Sequence, residues 1–113
     1  MPHIDIRVSK SLSANEKNEL HLAVGNIMET IPGKTIANTV IVITADCSMY
    51  KNGEPLEGVF VDVRLFKESP EDAKTMFAMK LFNIFESMLK IPPDNVQINF
   101  IELPNWASGG VYR

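Results

Sequence analysis

The sequence predicts an α+β domain in which a strand, a helix and a strand are laid out twice along the chain. Two observations carry that expectation. Residues 3 to 8 and 59 to 66 alternate polar and apolar side chains with period two, and each run is followed by a longer stretch whose apolar residues recur at helical spacing. Proline or glycine then closes each helical stretch before another β-branched or alternating run begins. The 113 residues, 45% hydrophobic and 22% charged, suit a single soluble domain over 1–113. A chain of this size buries about 65% of the surface its unfolded form exposes, enough for a core without disulfide or metal staples.

Taken in order, HIDIRV sets Ile4, Ile6 and Val8 on one face and His3, Asp5 and Arg7 on the other, the pattern of a half-buried strand. Ser13 and Glu16 form a capping box, and Leu20, Val24, Ile27, Met28 and Ile31 continue a helical stripe until Pro32-Gly33. Residues 38 to 44, NTVIVIT, are β-branched almost throughout and predict a buried strand. The connection after them carries the turn signal Asn52-Gly53. VFVDVRLF, 59 to 66, is the third strand, with Val59, Val61, Val63 and Leu65 opposed to Phe60, Asp62, Arg64 and Phe66. Ser69 is placed to cap the second helix with Pro70 as its first residue, and Phe77, Leu81, Ile84, Phe85, Met88 and Leu89 form its stripe up to Pro92-Pro93. VQINFIE, 96 to 102, is the fourth strand, and Gly109-Gly110 permits a last turn and short strand in the tail.

Two β-α-β units side by side give a four-stranded sheet with both helices on the same face, because parallel crossovers are right-handed. The other face, carrying His3, Asp5, Arg7, Phe60, Asp62, Arg64, Phe66, Gln97, Asn99 and Ile101, is too mixed for a dry core and too apolar in places for plain solvent. A symmetric oligomer closing several sheets around an axis would resolve that mismatch.

Eleven basic against fourteen acidic residues leave a net charge of -3 without a basic run, which argues against nucleic acid as a partner. No stretch approaches the ~20 apolar residues a membrane span needs, and MPHIDIRV lacks the blocks of a signal peptide, so a cytoplasmic protein with no membrane partner is expected. Cys47 is the single cysteine, and with only His3 and His21 beside it there is no zinc-ligand spacing. Metal and thiol-redox chemistry are therefore not expected, and His3, Asp5, Cys47 and Tyr50 receive no role.

Proline directly after the initiator methionine is the most specific feature. Loss of Met1 would leave a secondary amine at the chain start. An α-amino group titrates near 7.7 to 8.0, and an apolar pocket or a neighbouring cation lowers that value, so Pro2 becomes a general base that needs no side chain. With Met1 retained the nitrogen is a tertiary amide and does neither. A Met-Pro start by chance is the bland alternative.

Pro2 leading into the first strand, Gly33-Lys34 past the first helix, Met49 with Asn52-Gly53, and IPPDNVQINF after the second helix together resemble the macrophage migration inhibitory factor (MIF) branch of the tautomerase superfamily. The likeness runs through the whole chain, and LPNWASGG also resembles the tail of the short 4-oxalocrotonate tautomerases. The resemblance implies a β-α-β-β-α-β tautomerase fold with a four-stranded mixed sheet, a homotrimer with sites at subunit interfaces, and an amino-terminal proline that moves a proton between oxygen and carbon of a keto or enol acid.

Carried onto this chain, the resemblance makes Pro2 the catalytic base and Lys34 the cation that binds a substrate carboxylate and depresses the proline pKa. By itself Lys34 reads as a cation complementing a helix C-terminus. Phe66 matches the position whose backbone N–H contacts the carboxylate, and Asn99 the pocket asparagine supplied by a neighbouring subunit, although an asparagine in mid-strand is otherwise an exposed-face residue. Gln97 departs from the tyrosine of mammalian members. Trp106 and Phe60 would supply apolar walls, with trimer contact the alternative for Trp106. Arg64 is suited to hold a carboxylate bidentately, or else pairs with Asp62. The Cys-x-x-Cys of some members is absent.

The function these residues imply is a cofactor-independent keto–enol tautomerase, phenylpyruvate tautomerase-like, acting on a small α-keto or enol acid, an isomerase provided Met1 is removed. A dehalogenase, hydratase or decarboxylase on the same scaffold would require Asp62 or Glu102 to position water. A non-enzymatic trimer that binds a protein partner is the other alternative.

Overall fold

Strand β1 (His3–Val8) forms the middle of the molecule because it pairs on both sides, parallel to β2 (Val40–Thr44) and antiparallel to β5 (Val59–Phe66). The computed structural model describes residues 2–113. Strand β6 (Val96–Leu103) adds parallel to β5, giving the order β2-β1-β5-β6. Each β-α-β half is thus a parallel pair, and the two halves meet antiparallel at the centre of a mixed sheet. Helices α1 (Ala14–Asn26) and α2 (Glu71–Leu89) are the crossovers. Two hairpins lie outside this sheet: β3 (Tyr50–Lys51) with β4 (Glu54–Pro55), across Asn52-Gly53, and β7 (Ala107–Ser108) with β8 (Val111–Tyr112), across Gly109-Gly110.

The alternation in the sequence is the alternation in burial. Ile4, Ile6, Val8, Val61, Val63 and Leu65 are fully buried on the helix-covered face, in one cluster with Leu20, Val24, Phe77, Leu81 and Phe85. Phe77 also meets Phe100 of β6 edge-on, with ring centroids 6.2 Å apart. Truncation of such a ring to alanine costs about 3 to 5 kcal/mol. The opposite face is open. Val40 and Val42 are 54% and 40% exposed there, and the register places Asp5 directly across from Asp62.

Local signals explain most element ends. The capping box forms as expected, with the Glu16 N–H donating to Ser13 Oγ at 3.1 Å and the Ser13 N–H to Glu16 Oε1 at 2.9 Å. Helix α1 stops at Asn26 rather than running to Ile31, and a 3-10 turn over Met28–Thr30 carries the stripe onward. Met28 and Ile31 are still fully buried, because a tighter turn keeps the i, i+3 spacing. The second strand begins at Val40 rather than Asn38, since Ile36–Asn38 forms another 3-10 turn.

At α2 the expected cap is displaced. Pro70 occupies the N-cap position without a side-chain bond, and the helix starts at Glu71. Ser69 therefore lies one residue before the cap position, and its N–H donates to Glu102 Oε2 of β6 at 2.6 Å. The helix ends before Pro92-Pro93, at Lys90 in the left-handed conformation with φ 59°.

Candidate active site

Lys34 is positioned by a tight turn. Its N–H donates to the Ile31 carbonyl at 3.1 Å, with Pro32 and Gly33 between them and Gly33 at φ +77°. Proline followed by a residue of positive φ is the signature of a type II turn, a conformation only glycine adopts without strain. Ile31 is fully buried and anchors the turn to the core. Pro2 is buried at the head of β1, and its carbonyl accepts from the Val40 N–H at 3.1 Å, which ties the chain start to β2. Pro2 and Lys34 consequently line one small cavity of about 260 Å³, together with Gly33, Asn38, Ser108 and Arg113.

Ser108 and Arg113 come from the closing hairpin. Gly109 and Gly110, at φ +57° and +82°, fill the two central positions of the turn, where a two-residue hairpin of this hand demands positive φ. Trp106 and Arg113 then exchange both backbone hydrogen bonds, at 3.1 and 2.8 Å, and Asn105 Nδ2 donates to the Arg113 carbonyl at 3.3 Å. Sequence reasoning missed Arg113. The Gly-Gly signal foretold a returning tail, but nothing in VYR indicates what the tail returns to.

The cavity is lined by two cationic residues and by no Asp or Glu side chain, on a chain whose net charge is -3. Among the described residues neither Lys34 Nζ nor the Arg113 guanidinium takes part in an ion pair. Unneutralised cations in a concave site favour a bound anion.

The other candidate residues lie elsewhere in the chain. Phe66 ends β5 near the Pro2 end of the sheet, since His3 opposes Arg64, and Lys67 Nζ sits 5.1 Å from its ring centre. Arg64 is exposed on the open face. The ion pair with Asp62 is not formed: Asp62 lies two residues along the same strand, and its Oδ1 takes Asn99 Nδ2 at 3.4 Å from the strand alongside. Phe60 and Gln97 lie together at the far end of the sheet, where with Met49, Tyr50 and Leu56 they line a groove of about 360 Å³. Trp106 is half-buried at the base of the hairpin. One chain therefore unites Pro2 with Lys34 and keeps Phe60, Gln97 and Asn99 away from them.

Glu102 is occupied structurally. One oxygen accepts from the Ser69 N–H and the other lies 3.0 Å from Lys74 Nζ, which also meets Glu71 Oε1 at 2.9 Å. The Ser69 hydrogen bond, seconded by Lys74, lowers the Glu102 pKa from its ordinary value. Lys74 is raised by Glu71 first and then Glu102. A carboxylate so engaged is poorly placed to activate water.

Known structures share this architecture from end to end. MIF2 of Leishmania major superposes with a TM-score of 0.91 at 18% identity, covering 100% of this chain and 97% of its own. A MIF-like protein of Entamoeba histolytica gives 0.86 at 18%, covering 99% and 98%. The chain has the tautomerase fold. A native fused 4-OT, from the 4-oxalocrotonate tautomerase group, also has this tautomerase fold, with a TM-score of 0.86 at 15% identity and 96% and 94% coverage. No family model and no curated protein matches the sequence. The likeness thus lies in the path of the chain, and it bears out the resemblance at the level of the fold. No helix is long and apolar enough to cross a membrane among the described residues.

Proposed function

We propose that the protein is a cofactor-independent keto–enol tautomerase of the MIF-like branch, acting in the cytoplasm on a small α-keto or enol acid once Met1 has been removed. The observation that carries this reading is the shared cavity of Pro2 and Lys34, small and lined by two cationic residues without an Asp or Glu side chain. Fold likeness to MIF-like and 4-OT proteins supports it.

In the proposed cycle the secondary amine of Pro2 takes the proton of the enol hydroxyl with its lone pair. The electron pair left on oxygen becomes the enolate, delocalised onto the neighbouring carbon. Lys34 holds the adjacent carboxylate and offsets the extra negative charge, the kind of fixed electrostatic support that works best in a confined site. The protonated Pro2 then returns the proton to carbon, the ketone forms, and the amine is free again. No atom or electron is left over, so the cycle needs no cofactor.

A homotrimer completes the site in this reading. The open sheet face with exposed Val40 and Val42 is the surface such an assembly would cover, and a neighbouring subunit would bring Asn99, Gln97 and Phe60 to the Pro2 cavity as polar orienter and walls. The Phe66 backbone N–H and Arg64 would add carboxylate contacts, and Trp106 would close the hairpin side. Water-activating chemistry is less well supported, because Glu102 is committed to Ser69 and Lys74 and Asp62 to Asn99.

The test is ketonisation of enol phenylpyruvate by protein whose mass confirms the loss of Met1, beside Pro2→Ala. Turnover lost in the variant supports the reading. Equal rates in both, or no turnover by the Met1-free protein with this and a diacid enol, would sink it.

A further inference from the structure

We infer that the facing carboxylates Asp5 and Asp62, at the middle of the open sheet face, take the Arg7 guanidinium of a second copy of this chain, which makes association of the copies sensitive to salt; this rests on the assembly in the proposed function and names the contact that holds it.

The strand register sorts the charges of that face into rows. Across β1 and β5 it pairs His3 with Arg64, Asp5 with Asp62, and Arg7 with Phe60. An acidic row therefore stands between two rows that each carry an arginine, separated along a strand by two residues, or about 7 Å.

The chain leaves these rows unsatisfied by itself. Like charges directly across a strand pair repel, yet Asp5 and Asp62 stand side by side and half-buried. Asp5 meets a cation only in Arg7 of its own strand, at 3.9 Å, and the Arg7 side chain is 58% exposed. Asp62 forms no ion pair among the described residues and has only Asn99 Nδ2 at 3.4 Å. His3 Nε2, on the same face, is buried without a hydrogen-bond partner among the described residues. Buried polar atoms are normally paired, so this atom too calls for a group from outside the chain.

The alternation itself selects the partner. A face whose rows run cationic, acidic, cationic is complementary to itself when displaced by one row, whereas an unrelated protein would have to repeat the same alternation. Val42, 40% exposed and in register with Asp5 on β2, gives the copies apolar surface to bury beside the charges. Arg7 is the cation in question because Phe60 and Gln97 share its row. In the proposed assembly that row of one copy approaches the Pro2 end of the other, and the acidic row lies on its path. A guanidinium has donors enough to bridge two carboxylates.

The test is sedimentation velocity over a range of protein concentrations, giving the dissociation constant at about 0.05 M and about 0.5 M NaCl. The parent is expected to associate more weakly at the higher salt, where screening shortens the reach of the charges. Arg7→Gln should weaken association about ten-fold or more at the lower salt, as loss of a charge-assisted contact implies, and should flatten the salt dependence. Arg7→Lys should keep part of both, and Asp62→Lys, which cancels the charge of the acidic row, should act like Arg7→Gln. Circular dichroism would confirm that each variant is folded. A monomeric parent at both salts, association that salt strengthens, or association that Arg7→Gln leaves unchanged would overturn the inference. Arg7-dependent association without Pro2-dependent turnover would sink the tautomerase reading and leave this interface standing; turnover by a protein whose association ignores Arg7 would do the reverse.

Discussion

The two ends of the sheet differ in chemistry although they belong to the same strands. At the Pro2 end the cavity is polar and cationic, built by a type II turn and a glycine hairpin around Pro2, Lys34 and Arg113. At the far end the groove is apolar, with Met49, Leu56, Phe60 and the aromatic ring of Tyr50 beside Gln97. The first suits an anion; the second suits an apolar group. The contrast teaches that one chain keeps the candidate residues in two separate places, and the proposed reading needs a second copy to bring them together.

The contrast breaks most completely at the chain start. Protein that retains Met1 has no titratable nitrogen at Pro2 and is expected to show no turnover, while Pro2→Ala, which keeps a primary amine, should lose about 10² to 10⁴-fold in kcat/KM. Both variants should melt like the parent in a thermal scan. Lys34→Ala comes next: loss of a charge-assisted contact predicts a drop of about 10 to 100-fold in kcat/KM, and Lys34→Arg should regain part of it in the same steady-state assay.

The far end answers to a different readout. A Cβ at Gly58 would stand 2.7 Å from the Asn95 carbonyl oxygen and 3.0 Å from Leu56 Cδ2. Gly58→Ala should therefore cost about 1 to 3 kcal/mol in urea unfolding. The smallest effect is confined to acid. Glu102 has a lowered folded pKa, so the unfolded state binds its proton first as pH falls; the stabilisation is full above the ordinary value of 4.5 and disappears as pH drops through the folded value. Urea unfolding from pH 6 down to pH 3 should show Glu102→Gln less stable at the upper end and less sensitive to acid.

Much of the fold is legible in the sequence because strands of period two and helical stripes report a single physical fact, which face meets the core. Val59–Phe66 has the residue range its alternation predicts, and Gly33 and Asn52-Gly53 mark the turns they form. Where the sequence reading slips, a distant partner has intervened. Ser69 looks like a helix cap, yet Pro70 takes that position and the Ser69 N–H binds Glu102, 33 residues away. Arg64 looks like a partner for Asp62 until the neighbouring strand supplies Asn99. The candidate site is half legible: Pro2 and Lys34 follow from residue type and resemblance, whereas Arg113 becomes visible only when the hairpin folds back, since local sequence carries no record of which segment a tail will meet.

The central claim is that the Pro2 nitrogen moves a proton to and from carbon, and hydron exchange reads that step directly. In deuterium oxide, proton NMR would follow the C3 protons of 2-oxoglutarate with Met1-free protein, with Pro2→Ala and with protein retaining Met1. The account predicts exchange with the first, strongly reduced exchange with the second and none above background with the third. Equal exchange in all three would contradict it.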